Sequence, residues 1–247
     1  MDLELKDRVY LVTGGSKGLG FATASALVGE GARVVLTGRS PAAVESAAGQ
    51  LGAVGVACDN ADPETPGRLL DVARERFGRV DGLLLSTGGP PAGTVTGVSD
   101  EQWQAAFESM FLGAVRLART VGAALEEGGS IAFVLSSSVR APIANLSISN
   151  GLRPGLAMVA KSLANELGPR GIRVNGLLPG RIATGRMAYL DERSTPQQRA
   201  ASLAAIPLGR YGDPDEFGRV AAFVLSPAAS YLTGVMLSVD GGQSPVP

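Results

Sequence analysis

The sequence predicts an α/β protein with a doubly wound, seven-stranded parallel sheet and helices on both faces. Three observations lead to this fold class. Short runs rich in Val, Ile and Leu alternate with longer amphipathic stretches, these runs are apolar throughout, and a glycine-rich turn follows the first of them. The sequence contains no recognisable linker, repeat or low-complexity segment, so residues 1–247 are predicted to form a single domain.

Each predicted strand is a short run of β-branched residues or Leu. The predicted strands are Val9–Val12, Arg33–Thr37, Val54–Ala57, Gly82–Ser86, Ile131–Leu135, Ile172–Leu178 and Val235–Val239. Helices are predicted near residues 18–30, 41–50, 62–77, 100–126, 149–167 and 214–225. Ser99 followed by Gln102 is typical of a capping box, and Asp213 before Pro214 is typical of a helix start.

Residues 184–212 form the one long interruption of this alternation. The segment contains Thr, Gly, Arg and Pro without a strand pattern. It directly follows the end of a predicted strand, and open α/β sheets bind their ligands at the carboxyl ends of strands. We therefore expect this segment to border a ligand site.

Composition and charge exclude several classes of protein. Apolar residues make up 45%, charged residues 18%, and the net charge is -1, which does not favour binding to nucleic acid or to an anionic membrane. The N-terminus lacks a signal-peptide pattern, no run reaches the roughly 18 apolar residues of a membrane span, and Cys58 has no partner for an internal disulfide. The unpaired cysteine favours a cytoplasmic protein. Without histidine the usual soft-ligand metal sites are excluded, although a site of carboxylates alone is not, and we predict no metal site.

The first functional motif is the turn from Thr13 to Gly20, between a predicted strand and a predicted helix. Its glycines follow a Gly-x-x-x-Gly-x-Gly spacing over Gly14, Gly18 and Gly20. Glycines there let the backbone approach a pyrophosphate at the helix N-terminus, although they would also serve tight packing alone. The same residues fit the Gly-x-Ser-x-Gly turn of hydrolases around Ser16, but that mechanism needs a histidine base, which the chain lacks.

The end of the second predicted strand indicates which dinucleotide is preferred. Enzymes that select NAD usually place a carboxylate there, whereas Arg accommodates the extra phosphate of NADP. Here the strand ends with Thr37 and Arg39, and Lys17 in the glycine loop adds a second cation. We predict NADP(H) as the cofactor before NAD(H), with ordinary surface cations as the alternative interpretation of Arg39 and Lys17.

Taken in order, the motifs resemble those of the short-chain dehydrogenase/reductase family, and most of all its 3-oxoacyl-carrier-protein reductases. The resemblance runs almost from end to end. The matching residues are Thr13-Gly14 to Gly20, Asp59, Leu178-Pro179-Gly180 with Thr184, and Asp240-Gly241-Gly242. It implies a Rossmann-type domain, a homo-oligomer (tetramer or dimer) formed partly by the fourth and fifth helices, and a small carbonyl or alcohol substrate.

The resemblance also implies roles for individual residues. Asp59 would lie near the adenine, Ile182 and Thr184 would hold the nicotinamide carboxamide, and residues 184–212 would form the substrate lid. The cofactor-binding residues expected in this way are Thr13, Gly14, Ser16, Lys17, Gly18, Leu19, Gly20, Arg39, Asp59, Gly88, Pro179, Gly180, Ile182 and Thr184.

The sequence departs from the family at its catalytic positions. The family's Asn-Asn-Ala-Gly is replaced by Leu85-Ser86-Thr87-Gly88, which keeps only the glycine. The position of the catalytic-site Asn falls on Met110, where packing is the favoured role. Counting back from Lys161 places the catalytic Tyr at Ser149 and the catalytic Lys at Arg153.

We predict Ser136, Ser149 and Arg153 as the catalytic residues. Ser136 is preferred to Ser137 and Ser138 because it precedes Ser149 by the family's Ser-to-Tyr interval. A serine is a much poorer proton donor than a tyrosine, and arginine keeps its protons, so Arg153 would supply fixed positive charge.

Several alternatives remain open at these positions. Ser149, Asn150 and Arg153 would otherwise merely begin a helix, which Pro154 would bend or delay. Tyr189 in the lid is an alternative proton donor, with packing as its more common role, and Arg140 and Asn145 are other polar neighbours. A substrate with its own acid or an ordered water would also replace the missing tyrosine.

Two functions fit this sequence. The first is an NADP(H)-dependent oxidoreductase that reduces a carbonyl or oxidises an alcohol with an atypical active site. The second is a catalytically inactive nucleotide-binding sensor or scaffold that retains the fold. We favour the enzyme. The sequence does not identify its substrate, and the only chemical clue in the lid segment is a weak indication of an anion from Arg181, Arg186 and Arg193.

Overall fold

A computed structural model describes residues 2–245 of the chain. Its strands are β1 (Val9–Val12), β2 (Arg33–Gly38), β3 (Val54–Ala57), β4 (Gly82–Leu85), β5 (Ser130–Val134), β6 (Arg173–Pro179) and β7 (Met236–Val239). Its helices are α1 (Gly18–Gly29), α2 (Pro41–Leu51), α3 (Thr65–Phe77), α4 (Asp100–Ala106), α5 (Gly113–Ala124), α6 (Ser147–Leu167), α7 (Gly185–Glu192), α8 (Pro196–Ala204) and α9 (Pro214–Leu225).

All seven strands pair in parallel in the order β3-β2-β1-β4-β5-β6-β7. This order confirms the predicted doubly wound sheet. The strand order reverses between β1 and β4, so the connections that leave these two strands turn toward opposite sides. Because these connections diverge, a crevice forms at the carboxyl ends of β1 and β4, where ligands of open α/β sheets bind.

The sheet lies between two hydrophobic cores because its central strands are apolar on both faces. On one face, Leu69 of α3, Leu117 of α5 and Leu156 of α6 pack together with no more than 1% exposure. On the other, Leu27 of α1 and Phe217 of α9 are fully buried. These layers fix the positions of the strand ends that form the crevice.

The helix boundaries differ from the prediction in three places. A π-helical segment, Phe107–Leu112, separates α4 from α5 within what was predicted as one helix. Helix α6 begins at Ser147, slightly before the predicted start at residue 149, and continues through Pro154, so Pro154 does not delay it. The interrupted segment 184–212 contains α7 and α8, for which no helix was predicted.

Two predicted helix starts are confirmed by their hydrogen bonds. Ser99 and Gln102 form the expected capping box, with the Gln102 N–H donating to Ser99 Oγ over 3.4 Å. Asp213 caps α9 ahead of Pro214. In residues 2–245, no helix combines the length and the apolar character needed to cross a membrane.

Candidate active site

The glycine loop between β1 and α1 adopts a backbone that other residues would strain. Gly14 and Gly18 both have φ of +58°, in the left-handed region. A Cβ on Gly14 would overlap the carbonyl oxygen of Ser86, and one on Gly20 would overlap the carbonyl oxygen of Gly14. The glycines therefore allow the loop to pack against the end of β4, across the point where strand order reverses.

Two hydroxyl residues support this loop. The backbone N–H of Ser86 donates to Thr13 Oγ1 over 2.9 Å, and Thr13 Oγ1 lies 3.3 Å from the carbonyl oxygen of Ser86. Ser16 Oγ lies 2.8 Å from the position that a Cβ on Gly38 would take, at the end of β2. The loop is thus joined to the ends of both neighbouring strands of β1.

The cations predicted to select the cofactor are open to solvent. Lys17, directly before α1, and Arg39, directly after β2, are exposed. Neither side chain has a hydrogen bond or an ion pair within the described residues. Helix α1 also lacks a side-chain cap, so its N-terminal backbone is open to an anion such as a pyrophosphate. These groups suit a dinucleotide with an additional phosphate.

Other residues expected around the cofactor have structural partners of their own. Asp59 accepts from the Ala61 N–H over 3.0 Å, and its backbone carbonyl accepts from the Thr65 hydroxyl over 2.6 Å. Leu19 is half-buried beside the glycine loop, and Gly88 is exposed with φ of +73°. Their positions follow β3, β1 and β4, at the same edge of the sheet.

The segment after β6 brings the start of residues 184–212, the predicted lid, to the glycine loop. Pro179 ends β6, and a Cβ on Gly180 would lie 2.6 Å from Cβ of Asp240. Ile182 is buried, while Thr184 caps α7 by accepting from the Met187 N–H over 3.4 Å. The Thr184 methyl carbon lies 3.8 Å from the position of a Cβ on Gly18. Segment 184–212 therefore begins directly over the predicted dinucleotide site.

The serine cluster after β5 has a different arrangement from the one the family interval suggested. Ser138 Oγ and Ser149 Oγ are 3.0 Å apart, and both residues are buried. Ser136 is half-buried, and its hydroxyl oxygen accepts from the Ser138 N–H over 3.1 Å. The hydroxyl partner of Ser149 is therefore Ser138, whereas Ser136 holds the local turn.

Arg153 lies inside the protein with a guanidinium that spans two strand ends. It is only 5% exposed, and it donates to the carbonyl oxygens of Val134 over 2.5 Å and Gly88 over 2.6 Å. Burial, together with the nearby charge of Arg186, lowers the pKa of Arg153 to about 10. The group still carries its positive charge at neutral pH, and no carboxylate of residues 2–245 pairs with it.

The residues around the expected Asn position supply no polar group to the site. Met110 is 3% exposed and packs with Ala106 and Ile148, as the packing interpretation predicted. Ser109 is half-buried, and its hydroxyl donates to the Ala105 carbonyl one turn earlier over 2.8 Å. The π-helical segment therefore turns an apolar side chain toward α6.

The alternative polar residues also have structural roles. The Tyr189 ring is packed between Arg186, 5.3 Å from its centroid, and Arg193, at 3.7 Å. Arg140 is exposed and donates to the Met236 carbonyl over 3.2 Å. Asn145 has φ of +58° and accepts from the Gly93 N–H through its backbone. These contacts favour packing and structural roles.

Two further polar residues lie in this region. Thr87 Oγ1, which the sequence analysis assigned no role, is buried and has no hydrogen-bond partner within residues 2–245. Arg186 donates to the Pro90 carbonyl over 2.7 Å, so α7 is tied to the segment after β4. The sequence singled out Arg186 as a lid cation, but not this contact, which joins segments 96 residues apart.

No group of three or more His, Cys, Asp or Glu side chains within the described part of the chain is arranged to bind a metal ion. The polar chemistry of the crevice consists instead of backbone groups, serine hydroxyls and arginines. This combination suits the binding of an anionic or polar organic ligand.

Comparisons with known proteins agree with this geometry. A family profile described as enoyl-(acyl carrier protein) reductase matches residues 14–244. The chain is 32% identical to the 3-oxoacyl-[acyl-carrier-protein] reductase of Vibrio cholerae over 98% of this chain and 99% of that protein. It is 34% identical to an oxidoreductase of Mycobacterium tuberculosis over 97% of this chain and 92% of that protein.

Solved structures of other reductases are also similar to this chain. L-sorbose reductase from Gluconobacter frateurii, complexed with NADPH and L-sorbose, superposes with a TM-score of 0.91 at 30% identity, covering 100% of both chains. 3-Ketoacyl-(acyl-carrier-protein) reductase from Brucella melitensis, complexed with NADH, gives a TM-score of 0.87 at 31% identity, covering 98% of this chain and 100% of that one.

Proposed function

Because the chain belongs to the short-chain dehydrogenase/reductase family, a family of oxidoreductases, we propose that it interconverts a small carbonyl compound and its alcohol with NADP(H). The observation that carries this proposal is the glycine loop at the strand-order reversal, flanked by the unpartnered cations Lys17 and Arg39. The NADPH complex of the sorbose reductase supports the choice of NADP(H). NAD(H) is the second choice, since the ketoacyl reductase was complexed with NADH.

The cofactor would occupy the crevice along the ends of β2, β1 and β4. Arg39 and Lys17 would hold the additional phosphate, and the backbone at Gly14, Gly18 and Gly20 would approach the pyrophosphate. The further contacts proposed come from Thr13, Ser16, Leu19, Asp59, Gly88, Pro179, Gly180, Ile182 and Thr184. When bound, NADP(H) supplies or accepts the hydride at the substrate carbon.

We assign Ser136, Ser149 and Arg153 to the substrate end of the crevice. The hydroxyl of Ser136 accepts from a backbone N–H, so its own proton is available to a substrate oxygen. Ser149 would join it through its hydrogen bond with Ser138. Arg153 adds a fixed positive charge, which stabilises negative charge that develops on the substrate oxygen.

Proton delivery differs here from a tyrosine mechanism. Neither serine is a strong enough acid to replace a tyrosine, and Arg153 keeps its protons at neutral pH because its pKa is about 10. We propose that a water molecule in the crevice gives the proton that accompanies the hydride, and that the hydroxide left behind takes a proton from bulk solvent. Reduction then places the hydride on the carbonyl carbon and the proton on its oxygen.

We also propose that the protein is a homo-oligomer, either a dimer or a tetramer. Phe107 is 42% exposed and stacks on Phe111, with ring centroids 5.3 Å apart. A Cβ on Gly155 of α6 would lie 2.9 Å from the Phe111 ring, and Met158, one turn later, is 64% exposed. This apolar strip suits contact with a second copy, and sedimentation velocity would detect the assembly.

Cofactor titration is the first test of the proposal. Purified protein is titrated with NADPH and separately with NADH, following nicotinamide fluorescence. We expect NADPH to bind more tightly, because Arg39 and Lys17 face its additional phosphate. Failure to bind either nucleotide would contradict the proposal and favour an interaction module.

Turnover is the second test. NADPH oxidation is followed across a panel of ketones, sugars and acyl thioesters, and the Ser136→Ala variant is compared with Ser137→Ala as the matched control. Loss of one oxygen-stabilising donor is expected to lower kcat by about 100-fold in Ser136→Ala alone. Cofactor binding without any turnover would instead support the inactive sensor or scaffold.

A further inference from the structure

Two guanidinium groups converge on residues 88–90, the segment that follows β4. Arg153 reaches it from α6 and donates to the Gly88 carbonyl over 2.6 Å. Arg186 reaches it from α7 and donates to the Pro90 carbonyl over 2.7 Å. The Nε atom of Arg186 also lies 2.7 Å from the position of a Cβ on Gly89. Two positive charges therefore border a single three-residue segment at the mouth of the crevice.

Neither charge is neutralised by an acidic side chain. In residues 2–245, no carboxylate forms a hydrogen bond or ion pair with Arg153 or Arg186. Burial and the nearby charge of Arg186 lower the pKa of Arg153, so the two cations are close enough to interact. Burial lowers the pKa of Arg186 as well, and the nearby charge of Arg193 also lowers it. An uncompensated cation in such a place is costly unless an anion joins it.

The buried Arg173 gives a contrast within the same molecule. Its guanidinium donates to the carbonyls of Val224 and Ser226, both over 2.8 Å, at the C-terminus of α9. Carbonyls at a helix C-terminus carry the negative end of the helix dipole and stabilise a cation there. Arg153 instead meets one carbonyl at a strand end and one in a loop. Its compensation from the protein is therefore weaker.

We propose that the substrate carries a carboxylate or phosphate group, and that Arg186 binds this anion at the mouth of the crevice while Arg153 adds positive charge behind it. Arg186 is half-buried and uses only its Nη2 for the Pro90 carbonyl, which leaves N–H groups free for a charge-assisted hydrogen bond. The inference rests on the proposed oxidoreductase function and names the class of its substrate.

Matched pairs of ligands test the proposal by binding, without requiring turnover. The protein, saturated with NADP+ so that the cofactor's phosphate contacts are filled, is titrated calorimetrically with 2-oxopentanoate, 4-oxopentanoate and dihydroxyacetone phosphate. Their neutral counterparts are the two methyl esters and dihydroxyacetone. We expect at least one anion to bind about tenfold more tightly than its counterpart, because hydrogen bonds to charged groups are the stronger class. Equal affinities across all pairs would overturn the proposal.

Variants locate the anion. Arg186→Gln is expected to remove the preference for the anionic partner while leaving NADP+ affinity unchanged, which also shows that the variant is folded. Arg199→Gln is the control, because Arg199 is an exposed cation on the neighbouring helix α8. An anion preference that survives in Arg186→Gln would place the anion elsewhere and overturn the inference. A preference seen only in the cofactor-free protein, and lost once NADP+ is bound, would overturn it as well, because the anion would then occupy the cofactor's phosphate site.

The outcomes separate this inference from the proposed function. A protein that binds NADP+ and turns over neutral carbonyl compounds, without preferring anions, keeps the proposed function and loses the inference. If neither nucleotide binds, the proposed function fails, and the same ligand pairs titrated into the cofactor-free protein and Arg186→Gln decide whether the anion site exists.

Discussion

The two sides of the crevice use their polar groups in opposite ways. On the glycine-loop side, Lys17 and Arg39 are exposed and have no side-chain partner in residues 2–245. On the α6 side, Arg153 and Ser149 are buried, and each is bonded to protein groups. The first side leaves its charges available to a ligand, whereas the second uses its polar atoms to join α6 to the ends of β4 and β5.

This difference predicts which property a substitution will change, cofactor affinity or the free energy of unfolding. On the glycine-loop side, changing a charged side chain should alter cofactor affinity and leave the free energy of unfolding unchanged. On the α6 side, the free energy of unfolding should fall first, since buried carbonyl and hydroxyl groups lose their partners. Residues at the contact between the two sides should affect both quantities.

Gly14→Ala is expected to have the largest effect, because Gly14 lies where the two sides meet. A Cβ there would overlap the Ser86 carbonyl oxygen, and the residue has φ of +58°. Overpacking and the left-handed backbone together should lower the free energy of unfolding by about 3 kcal/mol and weaken NADPH binding. Urea denaturation and NADPH titration measure the two effects. Gly29→Ala, with open space around Gly29, should stay within about 1 kcal/mol of wild type.

Arg153→Lys tests the structural role of the α6 side. Lysine lacks the fork that reaches two carbonyls, so one of Val134 and Gly88 loses its donor, and the free energy of unfolding should fall by about 2 kcal/mol. The control is Arg140→Lys, since the exposed Arg140 makes one bond, to the Met236 carbonyl. Equal stabilities of the two variants in urea denaturation would show that Arg153 does not hold the strand ends together.

Arg39→Gln tests the ligand-facing side. We expect the Kd for NADPH to rise about tenfold, while the Kd for NADH and the unfolding midpoint stay unchanged, because only the additional phosphate loses a charged partner. Arg33→Gln, at the other end of β2, removes a surface arginine that pairs with Asp7 and should leave NADPH affinity unchanged. A parallel loss of NADH affinity in Arg39→Gln would mean that Arg39 acts on the whole cleft.

Ser138→Ala sharpens the comparison within the serine cluster. The Ser138 hydroxyl is the partner of the Ser149 hydroxyl, so its loss should lower the free energy of unfolding by about 1 kcal/mol. Ser137→Ala serves as the control because Ser137 is half-buried and has no hydrogen bond to Ser149. Thermal unfolding measures both variants, and an unaltered melting temperature in Ser138→Ala would mean that the Ser149 hydroxyl finds another partner.

The strands were largely predictable from the sequence, whereas parts of the helical layer were not. Val9–Val12 has the predicted bounds because burial on both faces leaves a continuous apolar run. The edge strand Val54–Ala57 also has its predicted bounds, although only Val56 is buried. Helix α8 carries a sequence signal of its own, a Thr195 and Gln198 capping box with Pro196. The π-helical turn at Phe107–Leu112 packs against α6, which is distant in sequence, and leaves no distinct local pattern.

The arrangement of the site was predictable only as far as the strand ends. Topology alone brings the glycine loop, Gly88 and the serine cluster to one edge of the sheet. Topology does not determine side-chain rotamers. The pairing of Ser138 with Ser149 and the two carbonyl bonds of Arg153 could therefore not be predicted from the sequence. The catalytic roles of Ser136, Ser149 and Arg153 remain predictions.

The hydrogen bond between Arg186 and the Pro90 carbonyl has a consequence for the rate of turnover. It ties α7 to the same segment that Arg153 ties to α6, so outward movement of α7 requires this bond to break. In the proposed enzyme, with residues 184–212 as its substrate lid, product would leave past α7, and opening of lids limits the rate of many enzymes. The lifetime of the hydrogen bond between Arg186 and the Pro90 carbonyl would then determine the rate of product release, independently of the rate of hydride transfer.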